Sequence, residues 1–174
     1  MHVSVIAQII GFVAVAINLL VFQVNKRRTM LNIGATAAVI YTLHFYLLGA
    51  YTGSAMNAIG GVRDVVTARI TPNRRNVWVL VLLGLVAAGA TYLTWRGILS
   101  LLPLAGTLLN GISFWNKNPK IIRRLYLIVP PIWFVYNAIV GSYPGMLIEI
   151  IMLTSNLVGQ YRFDRNLKRS SVTN

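Results

Sequence analysis

Residues 41–69 read YTLHFYLLGAYTGSAMNAIGGVRDVVTAR. Two apolar runs meet inside this stretch at Gly49-Ala50-Tyr51-Thr52-Gly53. A connection that short predicts two antiparallel helices joined by a tight turn. The same Gly-x-Tyr-x-Gly pattern returns at Gly141-Ser142-Tyr143-Pro144-Gly145, 92 residues on (141 − 49) and again between apolar runs. Both copies hold the same place in a longer pattern, which the rest of the chain supplies.

Only 11% of the 174 residues are charged and 56% are hydrophobic, with a mean hydropathy of +0.66. A soluble domain carries about 25% charged residues. Residues 30–62, 76–95, 97–116 and 125–148 contain no Asp, Glu, Lys or Arg, and a membrane-spanning helix needs roughly 20 such residues. The chain therefore belongs in a bilayer. It has no cysteine, which excludes disulfides, thiolate metal sites and cysteine nucleophiles. A net charge of +13 would suggest nucleic acid in a soluble protein, but here the basic residues cluster at the ends of apolar runs, as orientation signals and anionic-lipid contacts do. The expected partners are the lipid bilayer and a small polar solute, with no nucleic acid; a homo-oligomer is left open.

Seven spans are predicted: about Val3 to Val24, Met30 to Leu48, Gly53 to Ala68, Val77 to Thr94, Gly97 to Trp115, Leu125 to Val140 and Gly145 to Tyr161. The first has no basic residue ahead of it and so fits poorly as a cleaved signal peptide. If the chain starts outside, one face receives Lys26, Arg27, Arg28, Arg63, Arg69, Arg74, Arg75, Lys117, Lys120, Arg123, Arg124, Arg162, Arg165, Lys168 and Arg169. Of the 16 basic residues only Arg96 falls on the other face. The positive-inside rule then places the N-terminus outside and the C-terminus in the cytoplasm.

Spans one to three and five to seven each read as a helix ending in basic residues followed by a hairpin through Gly-x-Tyr-x-Gly. Gly11 and Gly106 occupy similar places in the two first helices. The expected organisation is all-α: a first three-helix repeat at 1–70, a linker helix at 71–96 and a second repeat at 97–162, with a loose cytoplasmic tail at 163–174. Parallel repeats of this kind are a transporter plan, with the solute held between the halves.

The three-plus-one-plus-three arrangement resembles the SWEET and PQ-loop sugar-transporter superfamily. Phe22-Gln23-Val24-Asn25-Lys26-Arg27-Arg28-Thr29 looks like the basic loop closing the first SWEET helix, and Met56-Asn57-Ala58-Ile59-Gly60 is similar to an Asn-x-x-Gly segment of the third. The Pro-Gln pair of PQ-loop proteins is absent; Gln23-Val24 and Asn118-Pro119 stand where it would fall. Over nearly its whole length the chain more closely resembles the YgjV-type family of small bacterial inner-membrane proteins. The resemblance is carried by Ala7-Gln8-Ile9-Ile10-Gly11, the run from Leu43 to Gly49, the run from Ser100 to Thr107, and Asn137-Ala138-Ile139-Val140-Gly141-Ser142 with Glu149. It implies an inner-membrane protein and names no activity.

Polar residues inside spans carry the functional reading, because in hydrocarbon they must be paired or face water. His44, Asn57, Asn137 and Glu149 lie four or five residues from their turns, about 6 to 8 Å below them at 1.5 Å per residue. Tyr46 and Tyr136 share that level. These six form the candidate solute-binding layer around a wet centre; Asn57 and Asn137 read equally well as packing hydrogen bonds between helices. Glu149 is expected to titrate or to pair with His44. A deeper set, Asn18, Arg63, Asp64, Asn110 and Asn156, is the candidate inner gate, with Asp64 expected opposite Asn156, or else with Arg63 snorkelling to the surface. Pro103 and Pro130-Pro131 are expected to bend their helices.

There is no Gly-x-Ser-x-Gly, His-Glu-x-x-His or phosphate-binding loop, so no enzyme activity, metal or cofactor is expected. No lysine lies in a predicted span, which excludes a retinal photoreceptor. The sequence thus points to a SWEET-like facilitator or proton-linked carrier, and otherwise to a non-transporting membrane subunit.

Overall fold

A computed structural model describes the backbone of residues 2–24, 26–70, 73–116, 119–125 and 127–170. Within these it describes all side chains except those of 2–4, 22, 119–120, 123 and 162–170. Among the described residues the chain is helical and holds no strand. In order the helices are α1 (His2–Leu19), α2 (Arg27–Leu47), α3 (Tyr51–Thr67), α4 (Val77–Leu93), α5 (Leu101–Trp115), α6 (Pro119–Leu125), α7 (Val129–Val140) and α8 (Tyr143–Ser170). Single turns of 3₁₀ helix follow α1 and precede α4 and α5. Helix suits an apolar run in lipid because it satisfies the backbone N–H and C=O groups within its own segment.

The stretches Arg27–Leu47, Arg74–Leu93 and Ile98–Trp115 are long and apolar enough to cross a membrane. Val5–Leu19 and Val129–Val140 are apolar but shorter. Helices α3 and α8 carry Arg63, Asp64 and Glu149.

Most expected boundaries fall within a few residues of the observed ones; the sixth span does not. The stretch expected from Leu125 to Val140 is divided between α6 and α7, and α7 has 12 residues, about 18 Å against a hydrocarbon core of about 30 Å. Pro130 and Pro131 lie at its first turn, where a missing N–H breaks no helical bond. Pro103 is the third residue of α5. These prolines therefore start helices rather than bend them. The tail expected to be loose from 163 continues α8 as helix to Ser170; Asn118 of the Asn118-Pro119 pair lies outside the described residues.

Contacts run α1–α2–α3 and α5–α7–α8, with α1 against α8, α3 against α5, and α4 against both α3 and α5. Small residues let the backbones close: a Cβ on Gly61 would sit 3.3 Å from Ala38 Cβ and 3.6 Å from Ala35 O. Of α4 only Ala87 and Thr91 are buried. The core is aromatic where α2 meets α7. Phe45 lies 6.3 Å from Trp133 and 6.1 Å from Tyr136, ring centre to ring centre, with Met56 beside them in the same cluster. At this level the space between the helices is packed with rings, where the sequence leads one to expect a wet centre.

Candidate functional site

The two Gly-x-Tyr-x-Gly turns are built alike. Gly49 and Gly141 both have φ of 72°, the left-handed conformation that glycine adopts without penalty. Ala50 N–H donates to Phe45 O at 2.9 Å, and Ser142 N–H to Asn137 O at 2.8 Å. Ser54 N–H donates to Ala50 O and Met146 N–H to Ser142 O, both at 3.0 Å. Each member of the second set lies 92 residues after its counterpart (142 − 50, 137 − 45, 146 − 54).

Across these turns runs a reciprocal clasp. His44 of α2 is fully buried. Its Nδ1 lies 2.6 Å from Ala7 O of α1, and its Nε2 2.7 Å from Ser142 Oγ of the second turn. A carbonyl can only accept, so Nδ1 carries the proton and a neutral ring accepts the Ser142 hydroxyl at Nε2. Gly145 N–H in turn donates to Ser142 Oγ at 3.1 Å. Tyr136 of α7, which is 92 residues after His44 (136 − 44), reaches the opposite way: its hydroxyl accepts from Gly53 N–H at the start of α3, at 3.0 Å.

A second pair repeats the pattern further out. Gln8 of α1 donates to Gly141 O at 2.7 Å and accepts from Tyr143 N–H at 3.3 Å. Arg96, just before α5, donates to Gly49 O at 3.1 Å. Each turn is thus held by side chains from the other part of the chain. Glycine makes the approach possible: a Cβ on Gly53 would lie 2.7 Å from the Tyr136 ring, and one on Gly145 2.5 Å from Asn137 Oδ1. Gly11 faces Pro144 and the His44 ring, and Gly106 faces Trp133.

The six residues expected at one level do not form one site. His44 and Asn137 come together around Ser142 and Gly145, and Tyr136 forms the other half of the clasp. Asn137 is buried, and its Oδ1 finds no donor among the described residues. Asn57 turns back on its own helix, donating to Gly53 O at 2.9 Å. Tyr46 is exposed and lies against Tyr51, ring centres 5.5 Å apart; it follows the buried Phe45 by one residue, about 100° around the helix. Glu149 is half-buried and lies within electrostatic range of Tyr41, whose buried hydroxyl has no partner among the described residues. The anticipated His44–Glu149 pair does not form, because Ala7 and Ser142 occupy both ring nitrogens.

In the deeper set, Arg63 does not snorkel, and its side-chain hydrogen bonds stay within α3. Its Nε and Nη2 both donate to Asp64 Oδ1, at 3.0 and 2.8 Å, in a pair whose side chains are about one-tenth exposed. The guanidinium carbon lies 4.6 Å over the Phe114 ring of α5. Asp64 Oδ2 abuts Gly34 of α2. Asn18, Asn110 and Asn156 are half-buried on α1, α5 and α8, and Asn110 Oδ1 has no donor among the described residues.

Of two cavities found among the described helices, neither is lined by His44, Asn57, Asn137 or Glu149. One of about 20 Å³, between α3, α4 and α5 beside Arg63 and Thr107, has room for a single water. The other, about 190 Å³, opens at the first turn and is lined by Tyr51, Thr52, Arg96, Ser100 and Tyr136 among others. Thr52 Oγ1 donates to Thr94 O at 2.9 Å there, and Ser100 Oγ accepts from Arg96 N–H at 3.0 Å.

Gln8, Thr52, Arg96, Ser100 and Ser142 were not anticipated as site residues. Ser142 had a legible signal: it puts a hydroxyl where the first turn has Ala50. Gln8 had one too, as an isolated amide in an apolar helix.

A family model described as bacterial inner membrane protein, Imp-YgjV, matches residues 5–167. The chain belongs to this family. It is 27% identical over 165 residues to a protein of Escherichia coli (strain K12) named Inner membrane protein YgjV, an alignment covering 94% of this chain and 87% of the relative. The matched span runs from the Gln8 end of α1 through both turns and into α8, so it includes every residue of the clasp. No solved structure matches the chain.

Proposed function

We propose that this member of the inner-membrane family carries a small polar solute, as a SWEET-like facilitator or a proton-linked carrier. On this reading two halves, α1–α3 and α5–α8, the second with its short extra helix α6, rock about the linker α4, with the N-terminus periplasmic and the C-terminus cytoplasmic. The observation that carries the reading is the reciprocal clasp. Its hydrogen bonds cross between the halves in both directions from two ring residues 92 apart, His44 to Ser142 and Tyr136 to Gly53. A closed outer gate needs that form: polar contacts that exchange for water at little net cost, over a seal of aromatic rings. The orphaned Asn137 Oδ1 and Tyr41 hydroxyl add support, since an unpaired buried polar atom costs about 1–3 kcal/mol and a solute or water would satisfy it. The deeper Arg63–Asp64 pair then belongs to the inner side.

The test is counterflow in proteoliposomes with labelled small sugars, amino acids and carboxylates. Flux of at least one above empty liposomes, altered by Asn137→Ala, is the expected result; none above background removes the carrier reading. A second reading, a non-transporting membrane subunit, is favoured by the absence of His44, Asn57, Asn137 and Glu149 from the walls of both cavities. It expects no flux and a copurifying partner.

A further inference from the structure

We propose that the cavity at the first turn is a binding site for a small oxyanion, a carboxylate or phosphate group held by Arg96. Arg96 is the single basic residue between Arg75 and Lys117. Its guanidinium carbon sits 4.5 Å over the Tyr51 ring, and Nη1 donates to Gly49 O. Stacking and hydrogen bond together fix the plane of the group. Of its five N–H donors one is placed in this way, and the fork keeps an edge free for bidentate contact with an oxyanion.

No carboxylate among the described residues neutralises it. The sequence has three acids, Asp64, Glu149 and Asp164; Asp64 is paired with Arg63, and Glu149 lies on α8, away from the cavity wall. Tyr136 supplies a second donor. Its hydroxyl accepts from Gly53 N–H and so keeps its own proton to give, and it lies within electrostatic range of Arg96. Arg96 is exposed at the open side of the cavity, where an anion can reach it, and Leu48, Leu99 and Val140 complete the walls. A volume of about 190 Å³ has room for a small anion. A free anion and a lipid headgroup phosphate offer the same chemistry to this site. The proposal does not rest on transport: binding without flux would leave it standing while removing the carrier.

The experiment uses purified full-length protein in maltoside micelles, which carry no anionic group, and follows the thermal midpoint as sodium phosphate replaces sodium chloride at constant ionic strength. Phosphate is expected to raise the midpoint. Arg96→Gln is expected to weaken the apparent affinity about tenfold or more, and Arg96→Lys less. Val140→Phe, which fills the cavity and leaves the charge, is expected to weaken it as well. Phosphatidylglycerol added to the micelles identifies the source. If it stabilises wild type over Arg96→Gln and abolishes the phosphate response, a headgroup occupies the site; if the phosphate response survives, the ligand is soluble. Wild type indifferent to both probes, or variants that respond as wild type does, would overturn the site.

Discussion

His44 illustrates how one side chain in a membrane protein can be fully buried and fully satisfied. It touches a carbonyl of α1 and a hydroxyl of the second turn, and removing it strands both. His44→Ala is therefore expected to cost about 2–4 kcal/mol, measured by denaturant titration in mixed micelles. Ser142→Ala strands the Nε2 lone pair and Gly145 N–H but keeps the Nδ1 bond to Ala7 O and opens little space, so it should cost less. The glycines provide a sharper contrast. A methyl on Gly53 has to displace the Tyr136 ring, so Gly53→Ala should destabilise by about 1–3 kcal/mol. Gly89 on α4 has nothing within 4 Å of its would-be Cβ, and Gly89→Ala should be neutral or stabilise by about 0.5–1 kcal/mol. A loss at both positions of equal size would contradict the packing described.

At the scale of elements, hydropathy made most helix ends legible, since the end of an apolar run is the end of a span. It could not divide α6 from α7, because Pro130-Pro131 reads alike as a kink or a helix start until the neighbouring turn is known. Depth along a helix was also legible, but depth alone does not say which way a side chain points. His44 and Tyr46 share a level, and one is buried while the other is exposed. The repeated turns were legible because glycine at a left-handed position leaves a sequence mark. Gly49→Ala and Gly141→Ala should each cost about 1–2 kcal/mol, in thermal melts of the purified protein. A large effect at one turn and none at the other would separate two elements that are described here as equivalent.

For the whole molecule, the chain's lack of cysteine makes it an unmodified background for thiol probes. Basic residues at the ends of apolar runs are the signal for an orientation, and on the proposed carrier reading the clasp holds two halves shut over a core of rings. Met56 lies beneath that clasp, 1% exposed and one helical turn deeper than Thr52. The most direct measurement is the labelling of a Met56→Cys variant by a small membrane-impermeant methanethiosulfonate added from the periplasmic side. If the halves part, labelling should be slow but go to completion, and it should stop when Gln8→Cys and Tyr143→Cys are bridged by a short bifunctional thiol reagent. No labelling in the bilayer, with full labelling after denaturation, would mean that the clasp never opens and that the bundle is not a carrier.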